Sequence, residues 1–279
     1  MLIQAVNNVS YIVLILKRGD KLMIFGASTA CFYPMDTELS LKKIAQLGVK
    51  NTEIFFNTFS ELESDYLKNL KNIADEYGVA VKSIHPFSSF AENYMIFTSY
   101  ERRFNDTAEL YKRYYQACNI LGADILVFHG ARDKGSICDE AKFERFGVMA
   151  EQANSYGVTL AQENVVEFCS QHPEYLVKMR DYLGDRFKMV FDTKQAVRAN
   201  HKPMEFVKAL GESIVHIHIS DNDEKRDCLA PGKGNCDLAE IKNEMKKLNY
   251  HGSWIVELYN HNYSSDDEIV KGVEYISSL

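Results

Sequence analysis

Three acidic residues and several histidines stand at one recurring place in this chain, the polar end of a short apolar run. Such runs end at His85, His129, Glu163-Asn164, Asp192, His216-Ile-His218 and Glu257. Glu163, Asp192, Glu257 and one imidazole, each from a different run, form an oxygen-rich donor set with one nitrogen, which suits Mn, Mg, Co or Zn better than a soft metal. Buried together without a cation, the carboxylates would repel one another and lose hydration, and a divalent ion relieves both costs. One divalent metal ion is therefore the expected cofactor. His216 and His218 share a strand face, and His218, nearer the carboxyl end, is the expected ligand. The competing reading of each carboxylate alone is a helix cap or an ion pair with Lys194 or Arg198. His85 and His129 are expected behind the ligands or on substrate.

These residues converge only if their runs belong to one sheet that closes on itself. From Met23 onward eight strand-like runs, 23–29, 51–57, 79–86, 123–130, 157–164, 187–193, 214–221 and 252–259, alternate with longer amphipathic stretches, and no linker interrupts the series. Several intervals close with glycine at or just before the next run: Gly48, Gly78, Gly122, Gly157 and Gly211. Asp237-Leu-Ala-Glu240 reads as a helix N-cap with its capping-box carboxylate, and residues 266–277 as the last helix. The series predicts the α/β class and a (β/α)8 TIM barrel, whose polar strand ends gather at one rim, rather than a doubly wound sheet. Residues 23–279 are expected to form that single domain, with 1–22 an added extension whose order stays open.

Composition narrows the partners. The chain has 279 residues, 46% hydrophobic and 25% charged, which fits one large α/β domain. A net charge of -7 offers no basic face for a phosphate backbone, so nucleic acid is not the expected partner and a small molecule is. The six cysteines are scattered and form no C-x-x-C pair, which points to reduced cytoplasm; only Cys228 and Cys236 are placed to approach a substrate. The apolar run Tyr11-Ile-Val-Leu-Ile-Leu16 is too short to span a bilayer, and no membrane association is expected. Homo-oligomerisation is left open. No G-x-G-x-x-G, P-loop or G-x-S-x-G motif is present, which removes support for nucleotide folds and a serine nucleophile.

Taken in order, Gln162-Glu-Asn164, Val190-Phe-Asp-Thr193, His216-Ile-His-Ile-Ser-Asp221 and Pro231-Gly-Lys-Gly-Asn-Cys-Asp237 resemble the xylose-isomerase-like TIM barrel superfamily, its sugar phosphate isomerase and epimerase branch above all. The resemblance runs from about Met23 to the carboxyl terminus, and the ordered set is more specific than any single motif. It implies Glu163, Asp192, His218 and Glu257 as metal ligands, with Glu163 and Glu257 also shuttling protons. Substrate contacts are expected from His85, His129, Asn164, Gln195 and Arg226. The implied activity is metal-dependent isomerisation or epimerisation of a sugar or sugar phosphate, by proton transfer through a metal-stabilised enediolate.

The chain departs from its relatives at two places. The DNA-repair branch, similar to endonuclease IV, needs a histidine three residues after the strand-six aspartate and an Asp-x-His before the Gly-x-Gly loop. Here those positions hold Gln195 and Arg226-Asp-Cys228, which are poor replacements for zinc-binding imidazole. Many epimerases also carry histidine where Gln195 stands. The rival readings are a metal-dependent dehydratase or lyase on an inositol-like keto-polyol, a non-catalytic sugar-binding barrel and, with least support, the phosphodiesterase. Lys194, Arg132, Arg226 and Lys233 read as solvated loop charges, and the aromatic segment 86–97 as a cover for the site.

Overall fold

The protein is described by a computed structural model that covers residues 23–132 and 137–279; the extension expected over 1–22 lies outside the described residues. Eight strands, β1 (Ile24–Ser28), β2 (Asn51–Phe55), β3 (Ala80–His85), β4 (Ile125–Phe128), β5 (Thr159–Glu163), β6 (Met189–Asp192), β7 (Ile214–Ile219) and β8 (Ser253–Val256), lie inside the eight expected runs. All pair in parallel with their sequence neighbours, and β1 meets β8 from Ile24↔Ser253 to Ala27↔Val256, closing the barrel. Around it run α1 (Thr37–Gln46), α2 (Ser64–Tyr77), α3 (Ser89–Met95), α4 (Glu101–Leu121), α5 (Asp139–Ser155), α6 (Pro173–Leu183), α7 (Thr193–Arg198), α8 (Pro203–Leu210), α9 (Leu238–Lys247) and α10 (Asp267–Ser278). The short α3 and α7 are additions to the repeat, inserted after β3 and β6. No described helix is long and apolar enough to cross a membrane.

Local chemistry accounts for these elements. α2 turns Leu67, Leu70, Ile73 and Ala74 inward at helical spacing, and Gly78 ends it in the left-handed region at φ 63°. Gly211 differs from the other interval-closing glycines, with an ordinary helical φ of -52°, and it packs under the Leu248 side chain. Asp237 caps α9 by accepting the Glu240 N–H at 2.8 Å.

The main core lies between sheet and helices and includes Trp254, Tyr111, Phe128, Phe191 and Phe206. Inside the barrel, Val127, Ala161 and Val190 make a separate small apolar cluster. The period of two that points Ala161 and Val190 inward also points Glu163 and Asp192 inward, one layer nearer the carboxyl ends.

The loop after β7 is organised by one carboxylate. Buried Asp221 accepts the N–H groups of Asn222 and Cys236 on Oδ1 and of Gly232 and Gly234 on Oδ2, at 2.8 to 3.0 Å. Its backbone pairs with Leu229 in both directions at 2.7 Å. A Cβ on Gly234 would run into the Asn222 carbonyl, so glycine is required where the loop folds over this aspartate. Asp221→Ala leaves four N–H groups without their acceptor and is expected to cost about 3 kcal/mol or more. Urea unfolding together with hydrogen exchange over 222–236 checks this, and an unchanged midpoint with an equally protected loop would refute it.

Candidate functional site

β5, β6, β7 and the residue after β8 bring Glu163, Asp192, His218 and Glu257 to one place, with one donor atom from each within 4.8 Å of the others. Asp192 and His218 are partners in the β6–β7 ladder, so their relative position is set by backbone pairing. His218 Nδ1 lies at the centre, 2.9 Å from Glu163 Oε1, 3.7 Å from Glu257 Oε2 and 3.9 Å from Asp192 Oδ2. No well-directed hydrogen bond reaches Glu163 Oε2 or Asp192 Oδ2, although both atoms are buried. A divalent ion bonded to oxygen and nitrogen at roughly 2.0 to 2.3 Å holds opposite donors about 4 to 4.6 Å apart, close to the spread found here. The residues therefore fit such an ion in donor chemistry and spacing, and it would take up oxygens that otherwise hold ion contacts with His129 and Lys194.

Asp192 divides its two oxygens between structure and site. Oδ1 caps α7 by accepting the Gln195 N–H at 3.0 Å, whereas Oδ2 faces the donor cluster. The sequence offered a cap or an ion pair as alternatives to ligation, and Asp192 does make both. Lys194 Nζ stands 3.2 Å from Asp192 Oδ2 and 2.6 Å from Glu257 Oε2, with the side chain 3% exposed. Far from being a solvated loop charge, this lysine is part of the buried cluster, because α7 starts directly after β6 and folds its first turn over the rim. Burial pushes the Asp192 carboxyl up to about 6, and repulsion from Glu163 and Glu257 adds to the rise against the pull of Lys194. Burial would also raise Glu257, but Lys194 and His218 outweigh it and hold that carboxyl below its ordinary value.

Beneath the cluster lies a carboxylate that sequence reasoning missed. Glu53 of β2 is fully buried; its Oε1 accepts the Ser28 hydroxyl at 3.3 Å and its Oε2 the Ser83 hydroxyl at 2.7 Å. His216 Nε2 and His218 Nε2 approach the same Oε2 at 3.2 and 3.0 Å. Burial opposes the charge, yet the imidazoles of His218 and His216 hold Glu53 well below the usual carboxylate range. Through this contact the Nε2 edge of His218 is occupied and Nδ1 is turned toward Glu163, Asp192 and Glu257, the arrangement by which a carboxylate orients a metal-binding imidazole. His216, the alternative ligand, points at Glu53 instead.

Above the cluster opens a cavity of about 210 Å³ lined by Glu163, Glu257, His85, His129, Lys194 and Gln195, with Ala30, Tyr33, Phe55 and Tyr259 as its less polar wall. His129 Nε2 is 2.8 Å from Glu163 Oε2 and 3.0 Å from His85 Nε2, so the two histidines and the glutamate form one chain along the rim. Gln195 lines the cavity, but its Oε1 accepts the Val166 N–H at 3.2 Å. Asn164, expected on substrate, is buried behind the site, clamped to the backbone of Asp192 by two hydrogen bonds at 2.8 and 2.9 Å. Arg226, also expected there, is exposed and bonded to Asp223 within its own loop, since a local acid three residues away satisfies it. Cys228 is buried with its Sγ toward the Glu257 carbonyl, and neither it nor Cys236 lines the cavity.

The aromatic segment expected to cover the site contributes no lining residue. It folds into α3, whose Glu92 accepts the Gly130 N–H at 3.0 Å and the Tyr111 hydroxyl, while Asn93 accepts the Arg132 N–H. Those bonds fix it beside the end of β4, next to His129.

Residues 41–279 match the family described as xylose isomerase-like TIM barrel. A relative among curated proteins is an uncharacterized protein of Mycobacterium leprae (strain TN), 22% identical over 267 residues, which are 87% of this chain and 91% of that one. Similar folds include a D-tagatose 3-epimerase-like protein, with a TM-score of 0.74, 24% identity and coverage of 92% of this chain and 96% of that one. Another is a D-allulose 3-epimerase from Methylomonas sp. in complex with D-allulose, with a TM-score of 0.74, 16% identity and coverage of 93% and 98%. A third is a 3-keto-D-glucoside 4-epimerase from E. coli, with a TM-score of 0.73, 14% identity and coverage of 92% and 100%. At these identities the structural likenesses establish the fold, whereas the family match spans most of the sequence. With its closed eight-stranded sheet and its inward-facing strand ends, the chain belongs to the xylose isomerase-like TIM barrel family.

Proposed function

We propose that the protein is a metal-dependent isomerase or epimerase of a small sugar, moving a proton to and from a carbon beside a carbonyl. The observation that carries this reading is a pair of glutamates, Glu163 and Glu257, which reach one cavity from strands three places apart in the barrel, with His218 between them. Proton removal on one face of a carbon and return on the other requires two such groups on opposite sides of the substrate. The named activities of the similar structures, D-tagatose and D-allulose 3-epimerases and a keto-glucoside epimerase, support a ketose or keto sugar as substrate class.

Glu163, Asp192, His218 and Glu257 would hold the divalent ion, which when bound supplies Lewis acidity to oxygens flanking the acidic C–H. One glutamate takes the proton. Its return to the neighbouring carbon gives the isomer, and delivery to the same carbon by the opposite glutamate gives the epimer. His85 and His129 line the cavity beside the substrate, and their contacts with Glu163 tie sugar orientation to the base. Tyr33, Phe55 and Tyr259 pack against the C–H faces of the sugar and keep water from the reacting carbon.

Incubation with D-tagatose, D-allulose and D-fructose in deuterium oxide with Mn²⁺ tests the reading. Deuterium at a carbon next to the carbonyl, with an epimer or aldose appearing by NMR, is the expected result. Absence of exchange with every ketose in the panel would sink the proposal, and loss of water from a keto-polyol would replace it with a dehydratase.

A further inference from the structure

We infer that the ammonium of Lys194 and a divalent ion compete for the same two carboxylate oxygens, so that Lys194 sets how tightly the centre binds metal. The inference rests on the metal-dependent reading given above. Lys194 Nζ contacts Glu257 Oε2 at 2.6 Å and Asp192 Oδ2 at 3.2 Å. Those are the oxygens that face His218 Nδ1 at 3.7 and 3.9 Å, hence the ones through which Glu257 and Asp192 would ligate. The lysine is therefore not a neighbour of the metal position but a cation already in ionic contact with two of its three oxygen donors.

The fold places it there on purpose-built anchors. Lys194 is the second residue of α7, whose first turn is fixed by Asp192 Oδ1 on the Gln195 N–H. Nζ also sits 5.0 Å over the Tyr259 ring, and Tyr259 is in turn held by Arg198, which donates to its hydroxyl at 2.8 Å. A carboxylate oxygen has lone pairs for two partners, but a single and a double positive charge about 4 Å apart in a partly buried site repel by much more than thermal energy. Entry of the ion must weaken the lysine's contacts or be weakened by them. The four-carbon stem lets Nζ withdraw without moving α7, and the cavity that Lys194 lines is where it would go.

The test is Mn²⁺ titration of the full chain by calorimetry, for the parent, Lys194→Met, Lys194→Gln and Lys194→Arg, with thermal unfolding of each with and without Mn²⁺. Lys194→Met keeps the length of the side chain and removes its charge, and Lys194→Gln covers the case in which Met fails to fold. Either neutral variant is expected to bind Mn²⁺ about tenfold more tightly or better and to gain more in Tm from the ion, while Lys194→Arg stays within about threefold of the parent. Equal or weaker binding by the neutral variants overturns the competition and leaves the metal centre standing. No Mn²⁺ binding by any of the four proteins overturns both.

Discussion

Glu257→Gln is expected to slow solvent deuterium exchange into a ketose by about 10²- to 10⁴-fold, the usual contribution of a placed acid–base group. Glutamine keeps the shape and one carbonyl oxygen but cannot take a proton from carbon. The barrel should remain folded, because Glu257 follows β8 and its backbone carbonyl contacts, such as that with Cys228 Sγ, do not involve the carboxylate. The change also strips Lys194 of its 2.6 Å partner, so Mn²⁺ content must be measured beside the rate. Glu163→Gln should show a loss of similar size, with an added change in His129 and His85, whose shared partner it is. Exchange within tenfold of the parent by a metal-loaded Glu257→Gln protein would remove this residue from the reaction.

Glu53→Ala is the second large effect, and it acts on stability and metal binding together. Removing this buried carboxylate leaves the Ser28 and Ser83 hydroxyls and the Nε2 atoms of His216 and His218 without their common acceptor. Breaking such a buried set by deleting one partner costs about 3 to 5 kcal/mol. Loss of the group that orients a ligating imidazole typically weakens metal binding by about 10- to 100-fold. Urea unfolding measures the first expectation and Mn²⁺ titration the second. A protein that loses stability yet binds the ion as before would show that Glu53 supports the barrel without orienting His218. Glu53→Gln should recover part of the stability, since it restores volume and an acceptor, but less of the affinity, since the charge facing His218 is gone.

The barrel could be read from the chain because parallel strands covered on both faces are written as short apolar runs, and a polar residue ending such a run stands out. Glu163, Asp192, His218 and Glu257 were legible for that reason, and the structure brings all four together. Glu53 lies in the middle of its strand, in Asn51-Thr-Glu-Ile-Phe55, where one acid looks like the solvent-facing half of an alternation. Its cue was that a barrel strand has no solvent-facing side, so a mid-strand carboxylate must find buried partners. Lys194 reads from the sequence both as an ion-pair partner of the strand-end carboxylates and as a solvated loop charge; the immediate start of α7 turns it inward and decides for the first. Asn164 and Arg226 look like substrate contacts by position along the chain. Backbone pairing to Asp192 consumes the first, and a nearby Asp223 consumes the second. Local hydrogen-bond competition of this kind leaves no trace in the spacing of residue types.

The cavity wall also has a division of labour that bears on redesign. Glu163 ends β5, and Glu257 and His129 directly follow β8 and β4, so the closed ladder dictates where they stand, whereas Ala30, Tyr33 and Tyr259 come from the segments after β1 and β8, which the closure makes adjacent. If the proposed function holds, an engineer seeking a different sugar could randomise Ala30, Tyr33 and Tyr259 as one library, altering selectivity while Glu163 and Glu257 stay anchored to β5 and β8.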